Sequence, residues 1–389
     1  VIILDSTFTL EAEQELLLFC ARTSMDDETE RKIKYLVRSD LNWDYLLEIA
    51  SKHGLKPLLY WQLHIICPDE IPSEFMHNLK EFLKTNATKN LFFMKELIAI
   101  IKTLNDHHIE SVPYKGPILA QQVYGNLTMR EFGDLDIYVK KEDVPKIKDI
   151  LISKGYKPQF NLNSSQEQNY LNSQRELKFI HEIKGISLEL HWKFSGVFLN
   201  LPSNAEMIFL NKLNTLNIGG IQIPEITPEN LVLILSIHNA SHQWSRLSWL
   251  VDIATLINNQ KIDWSKIIKL SQQLSIQKIL FINLYLCQSL LDLEMDVDIK
   301  KYLQDNSVIK TSNIFAKEIF LDEKENSLIK NLEMSIIMRE NKIDAIKDGL
   351  SGIFHPSFYE LTRLDLSPSL YFLYYIYRPF NLLKRHKLK

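Results

Sequence analysis

Gly133-Asp134-Leu135-Asp136-Ile137-Tyr138-Val139 is the stretch on which the reading of this chain turns. Leu135, Ile137, Tyr138 and Val139 favour a strand, and residues two apart in a strand face the same way. Asp134 and Asp136 therefore share one face, with Leu135 and Ile137 packed behind them. Two carboxylates held this close repel each other unless a cation sits between them, and hard oxygen ligands suit Mg2+ or Mn2+. An edge strand with two solvated aspartates would show the same pattern, so the neighbouring sequence has to decide.

Upstream, residues 111–114 (Ser-Val-Pro-Tyr) suit a short strand, and Gly116-Pro117 opens a helix running to Tyr124, with Pro at a tolerated first-turn position. Lys115-Gly116 thus lies where a strand turns into a helix, offering an ammonium and free backbone N–H groups to phosphate. Arg130, four residues before Asp134, is placed to reach the same phosphates. Downstream come an amphipathic helix over Val144–Ser153, a polar stretch at 161–176 that reads as a loop, and Leu188-Glu189-Leu190-His191-Trp192 in strand-like alternation. Glu189 is a charge between two core leucines, which is costly without a partner. A metal held by the two aspartates supplies one. If that strand continues, His191 and Lys193 share the face of Glu189, and His191 is either a phosphate or acceptor contact or a half-buried strand histidine.

The flanks are helical. Asn42 precedes a 3.6-residue apolar stripe from Trp43 that stops near Gly54, and 79–104 carries a second long helical pattern. Beyond Pro224 helices return: Thr227 looks like an N-cap with Pro228 at the first position, followed by helices at 230–240 and about 246–258, 263–291, 314–345 and 365–388. Trp43-Asp-Tyr-Leu-Leu-Glu-Ile-Ala and Trp264-Ser-Lys-Ile-Ile-Lys-Leu-Ser share a pattern that suggests equivalent helical hairpins either side of the α/β unit. The organisation expected is an N-terminal helical region (1–104), an α/β core (105–223) and a C-terminal helical domain (224–389).

Composition narrows the function classes. With 389 residues, 11 glycines and a formal net charge of −3, the chain favours helices over an all-β fold and has no global field to attract nucleic acid. Cys20, Cys67 and Cys287 are odd in number and without Cys-x-x-Cys spacing, which argues against a disulfide framework or zinc knuckle. No signal peptide or membrane-length apolar run is legible, and a reduced cytoplasmic setting is expected. His238 and His242 have the i, i+4 spacing that zinc sites use, but no third ligand is visible.

Strand, Lys-Gly, helix, Arg130, Gly133-Asp-Leu-Asp, then Leu188-Glu-Leu-His-Trp, in that order, resembles the uncharacterised nucleotidyltransferase-like family of the DNA polymerase beta superfamily. The resemblance continues in His238, Trp244, Arg246, Leu247, Trp249, Leu250, Val251, Asp252 and Ile253, and in the helix from Trp43, covering most of 41–290. It implies an α+β fold, a small mixed-sheet nucleotidyltransferase core flanked by helical regions. It also implies Mg2+ or Mn2+ held by the catalytic carboxylates Asp134, Asp136 and Glu189, and an NTP contacted by Lys115, Gly116, Arg130, Gly133, His191, His238 and Arg246. The reaction implied is a two-metal transfer of NMP from the NTP to a hydroxyl acceptor with release of pyrophosphate. Lys115-Gly116 stands where the superfamily has a glycine-serine turn, and Glu189 where Asp is commoner. Arg246 and Asp252 either line the cleft or fix the helical domain to the core.

Two other functions fit the Asp-x-Asp strand: glycosyl transfer from a nucleotide-sugar, and a non-catalytic nucleotide-binding module. Against the first, only helices precede Val112, and Lys115-Gly116 and Glu189 have no task there. Against the second, a binding module gains nothing from three repelling charges. The acceptor is a small molecule, peptide or protein, with natural-product or peptide modification in view; no stable nucleic-acid partner is expected. The aromatic and basic C-terminus, from Tyr371 to Lys389, reads either as a packed final helix with a solvated tail or as a contact for membrane, nucleic acid or a partner.

Overall fold

A computed structural model of the chain describes residues 10–321 and 328–386. The Asp-x-Asp stretch is a strand, β2 (Asp134–Val139), at the heart of a five-stranded sheet. Its companions are β1 (Ser111–Pro113), β3 (Lys157–Pro158), β4 (Glu176–His181) and β5 (Ile186–His191), in the order β1-β2-β5-β4-β3. Only β2 and β5 run parallel; the other neighbours are antiparallel, so the sheet is mixed and the fold is α+β. The parallel register sets Leu135 opposite Leu188, Asp136 opposite Glu189 and Ile137 opposite Leu190. The four apolar members of that ladder are fully buried, so a one-residue slip would put leucines where the carboxylates are and is strongly disfavoured.

Ser73–Asp106, a longer helix than the 79–104 pattern suggested, packs Phe93, Leu97, Ile100, Ile101 and Leu104 into the core behind the sheet. A separate hairpin, β6 (Leu213–Ile218) and β7 (Ile221–Ile226), follows, with β7 lying against β1. Pro224 is inside β7, and helices resume at Pro228–Ser241. Thr227 does occupy the N-cap position, but its hydroxyl makes no capping bond and is buried without a partner.

The repeated Trp pattern proves to be a structural repeat. Trp43–His53 and Lys56–Ile66 form one helical hairpin; Trp264–Gln273 and Gln277–Leu291 form the other. Asn42 and Asp263 accept from the backbone N–H of Tyr45 and Lys266, each at 3.0 Å. Gly54 and Ser275 both take left-handed backbone, at φ +68° and +55°. Leu55 and Ile276 then donate back to Ala50 and Ser271, each at 2.9 Å, the signature of a helix stop. The continuous helix read at 263–291 is therefore broken, and the two hairpins share one apolar core.

Three other expectations change. The polar stretch 161–176 holds a helix, Ser164–Ser173, closed at its start by a capping box between Asn163 and Gln166. Its inward residues include Asn169 and Ser173, so no apolar stripe announces it. In place of one helix at 314–345 there are Asn306–Ile319, Leu328–Met338 and Lys342–Phe354; residues 322–327 lie outside the described residues. The last helix is Phe372–His386, with 387–389 outside the described residues. It buries Tyr374 while Phe372, Ile376, Phe380 and Leu383 stay exposed.

Gly116 shows why the turn after β1 needs glycine. Its φ is +53°, and a Cβ there would lie 2.7 Å from the carbonyl oxygen of Asp134. The helix opened by Gly116 (Gly116–Leu119, continued by a wider turn over Ala120–Tyr124) is therefore pressed onto the head of β2. Gly116→Ala should destabilise the fold by more than ~2 kcal/mol, left-handed backbone and backbone clash together, which chemical denaturation would measure; an unchanged midpoint would show that the turn has slack.

Candidate metal and nucleotide site

Asp136 is only 3% exposed, and Lys115 and His191, which both face it, favour its charged form. Lys115 Nζ is 3.4 Å and His191 Nε2 3.0 Å from its Oδ1. Burial alone would raise the pKa of Asp136, but Lys115 and His191 outweigh it and hold that carboxyl below the usual range. His191 is buried too, which disfavours its charge, but its hydrogen bonds to Asp136 and Glu189 raise its pKa above the ordinary value. Its Nδ1 lies 3.3 Å from Glu176 and its Nε2 3.6 Å from Glu189. Glu189 in turn meets Lys178 at 3.2 Å, and its pKa is lowered by the hydrogen bond to His191, against burial and with help from Lys178.

Asp134 is on the same side of β2, two residues back along the strand, opposite Ser187. Burial, then repulsion from Asp136 and Glu189, pushes its pKa up to about 6. That crowding is the physical counterpart of the paired-carboxylate argument. The tightest donor set, however, is Asp136, Glu189 and His191, whose ligand atoms all lie within 4.8 Å of one another. Two carboxylates and, once its proton leaves, an imidazole, beside a third carboxylate that burial and its neighbours make reluctant to ionise, fit a divalent cation: its charge would take over the role that Lys115 and His191 now fill against the repulsion.

Arg130 is engaged elsewhere. Its Nε is 3.0 and 3.1 Å from the two oxygens of Asp252, and Nη2 is 3.0 Å from Oδ2; Tyr124 adds a hydroxyl to Oδ1 at 2.8 Å. Asp252 belongs to the helix Leu247–Asn259, so this buried fork ties the head of β2 to the C-terminal helices. His238 and His242 lie with ring centroids 4.7 Å apart, each against Trp249 at 4.7 and 5.2 Å. Burial foremost, then Lys115 and His242, drives the pKa of His238 well down, so its ring is neutral. Arg246 is exposed, with its guanidinium 5.9 Å from the Trp249 ring centre. Gly133 is exposed, with nothing near its Cα that a side chain would strike.

A carboxylate pair on parallel neighbours, a Lys-Gly turn pressed against them, and a helical domain tied back by Arg130 form one arrangement. The model of the uncharacterised nucleotidyltransferase family matches residues 39–292, about two thirds of the chain. The chain belongs to that family. No curated protein matches it. As a nucleotidyltransferase it is a transferase of phosphorus-containing groups. Among the described residues no helix is long and apolar enough to cross a membrane.

Sequence reasoning overlooked Glu176, Lys178 and Arg175 of this nucleotidyltransferase. Glu176 pairs in register with His191, and Lys178 with Glu189. Their signal was available as the alternation Glu-Leu-Lys-Phe-Ile-His at 176–181, which mirrors the strand it pairs with.

Because the Arg130–Asp252 fork is buried, Arg130→Ala should cost about 3–5 kcal/mol of stability by leaving Asp252 uncompensated. Arg130→Lys should recover little of this, since an ammonium cannot make the two-point contact. Were Arg130 chiefly a phosphate ligand, urea titration would find both variants as stable as the native chain.

Proposed function

We propose that this enzyme transfers an NMP group from an NTP to a hydroxyl acceptor and releases pyrophosphate, using a divalent metal, Mg2+ or Mn2+. The observation that carries the reading is the convergence of Asp136, Glu189 and His191 within 4.8 Å, with Lys115 alongside. Asp136, Glu189 and a neutral His191 would hold the metal, with Asp134 alongside on β2. When bound, the metal lowers the pKa of the attacking hydroxyl and neutralises charge on the triphosphate. Lys115 has three donors and meets Asp136 only at 3.4 Å, so it can turn to a phosphate oxygen while staying beside the carboxylate. The backbone N–H groups at the Gly116 turn add further donors.

In the transfer, the acceptor oxygen forms a bond to the α-phosphorus and the bridging α–β P–O bond breaks. Pyrophosphate carries away the electron pair and the acceptor proton passes to solvent. Sugar transfer from a nucleotide-sugar is the weaker reading, since the Lys115-Gly116 turn packed on Asp134 and Glu189 paired with Asp136 would both be idle, and the family is one of nucleotidyltransferases.

Thermal unfolding of the native chain and of Asp136→Asn should be compared with each NTP and with UDP- and GDP-sugars, with and without Mg2+ or Mn2+. An NTP at about 100 times its Kd should stabilise the native chain by ~2.7 kcal/mol, only when metal is present, and Asp136→Asn should lose the effect. A response to nucleotide-sugars alone, or one that the variant keeps, would reject the assignment.

A further inference from the structure

A cavity of about 910 Å3 opens beside the carboxylates, sharing Glu176 and His242 with their surroundings. The sheet order places it on one flank. Lys115 and Gly116 follow β1, the strand outside β2, whereas Glu176 begins β4, the strand outside β5. At Glu176 the cavity therefore reaches the Asp136–Glu189 pair from the side away from the Lys115-Gly116 turn. On the reading proposed above, the triphosphate occupies the side of the turn and the attacking group must come from the side of the cavity.

The charges in the cavity offset one another. Arg175 meets Glu176 at 2.9 Å, and Lys193 is close enough to Glu206 to lower its pKa against the rise that burial causes. Both histidines are neutral near pH 7. Partial desolvation, then Arg175 and Lys115, pushes His242 down to about 4. Burial likewise lowers His355. What remains mixes hydroxyls with apolar side chains: Ser195, Ser203, Ser241 and Ser245 line the space with Tyr170, Phe198, Leu201 and Met338, and the Ser241 hydroxyl is buried without a hydrogen-bond partner.

The roof comes from outside the family match, which ends at residue 292. Ser335 and Met338 come from the helix Leu328–Met338, and Ser351 from Lys342–Phe354. These helices are fixed to the opposite wall. Arg339 pairs with Asp348 at 2.6 Å and donates to the Asn200 carbonyl at 2.6 Å, while Asp348 accepts from the Asn200 backbone N–H at 2.7 Å. His355 meets the Ser173 carbonyl at 2.6 Å, and Gln174 donates to that of Pro356 at 2.9 Å. The ring of Phe198 fills the place a Cβ on Gly352 would take.

We infer that this cavity is the acceptor subsite, that it takes a small uncharged molecule bearing several hydroxyl groups, and that the C-terminal helices beyond residue 292 set that choice. The charge balance gives an ionic acceptor no counter-charge, and the serine hydroxyls offer both donors and acceptors to a polyol.

The experiment measures pyrophosphate release from the NTP and metal that stabilise the native chain. The probes are uncharged mono- and disaccharides, with sugar phosphates and amino acids of similar size for comparison. Uncharged sugars should stimulate release. Ser351→Trp in the roof and Ser203→Trp in the opposite wall should each lower acceptor kcat/KM tenfold or more, roughly the scale of a mis-shaped pocket. Both should keep the metal-dependent stabilisation by NTP. Stimulation by charged probes alone or by none, equal stimulation of both variants, or loss of NTP binding in both would overturn the inference. Absence of any metal-dependent NTP response in the native chain is a separate failure, that of the transfer reaction itself.

Discussion

A carboxylate that is 3% exposed and faces a second one across a parallel ladder cannot stay ionised by itself. Asp136 does so because Lys115 and His191 both reach its Oδ1. Much of the local architecture follows. Lys115 reaches Asp136 only because the chain leaves β1 through a left-handed glycine pressed on the head of β2. His191 is in range because β5 runs parallel to β2 and stays in register to its last residue. Glu176 and Lys178 on β4 then share the charge of His191 and Glu189, so the cluster spans three strands of opposed charges.

The second constraint is the Arg130–Asp252 fork. It occupies Nε and Nη2 of an arginine that its position in the sequence offered to phosphate. Its effect is to fix the strand that carries the aspartates against a helix that also carries Trp249, the ring on which His238 and His242 rest. The fork thus joins the segment leading into β2 to the helix Leu247–Asn259. For the transfer proposed above, which would work by positioning and charge, such a tie would matter as much as the ligands.

The family-matched part supplies the carboxylates, the Lys-Gly turn and the fork, while helices past residue 292 close the space beside them. The division is physically sensible. Chemistry at phosphorus depends on a few short distances that tolerate little change. The shape of a cavity wall can vary as long as its anchoring bonds, here Arg339 with Asp348 and Asn200, are kept.

Local periodicity made legible an α/β unit amid helices, the strand bearing Asp134 and Asp136, and the paired helical hairpins. The α+β class with a mixed sheet was implied by the family resemblance, and the need for glycine after Lys115 emerged only from the packing of that turn on Asp134. Glu189 and His191 were legible as one face of a strand from the same periodicity. Which strand pairs with which is a matter of tertiary structure, and that pairing put Asp136 beside Glu189 and His191, with Asp134 opposite Ser187. Tertiary structure alone turned Arg130 toward Asp252, 122 residues away. The helix Ser164–Ser173 stayed hidden because its buried side buries amides and hydroxyls, which leave no hydrophobic period. A long-range salt bridge and a polar-faced helix have no local signature; they exist only once the chain has folded back on itself.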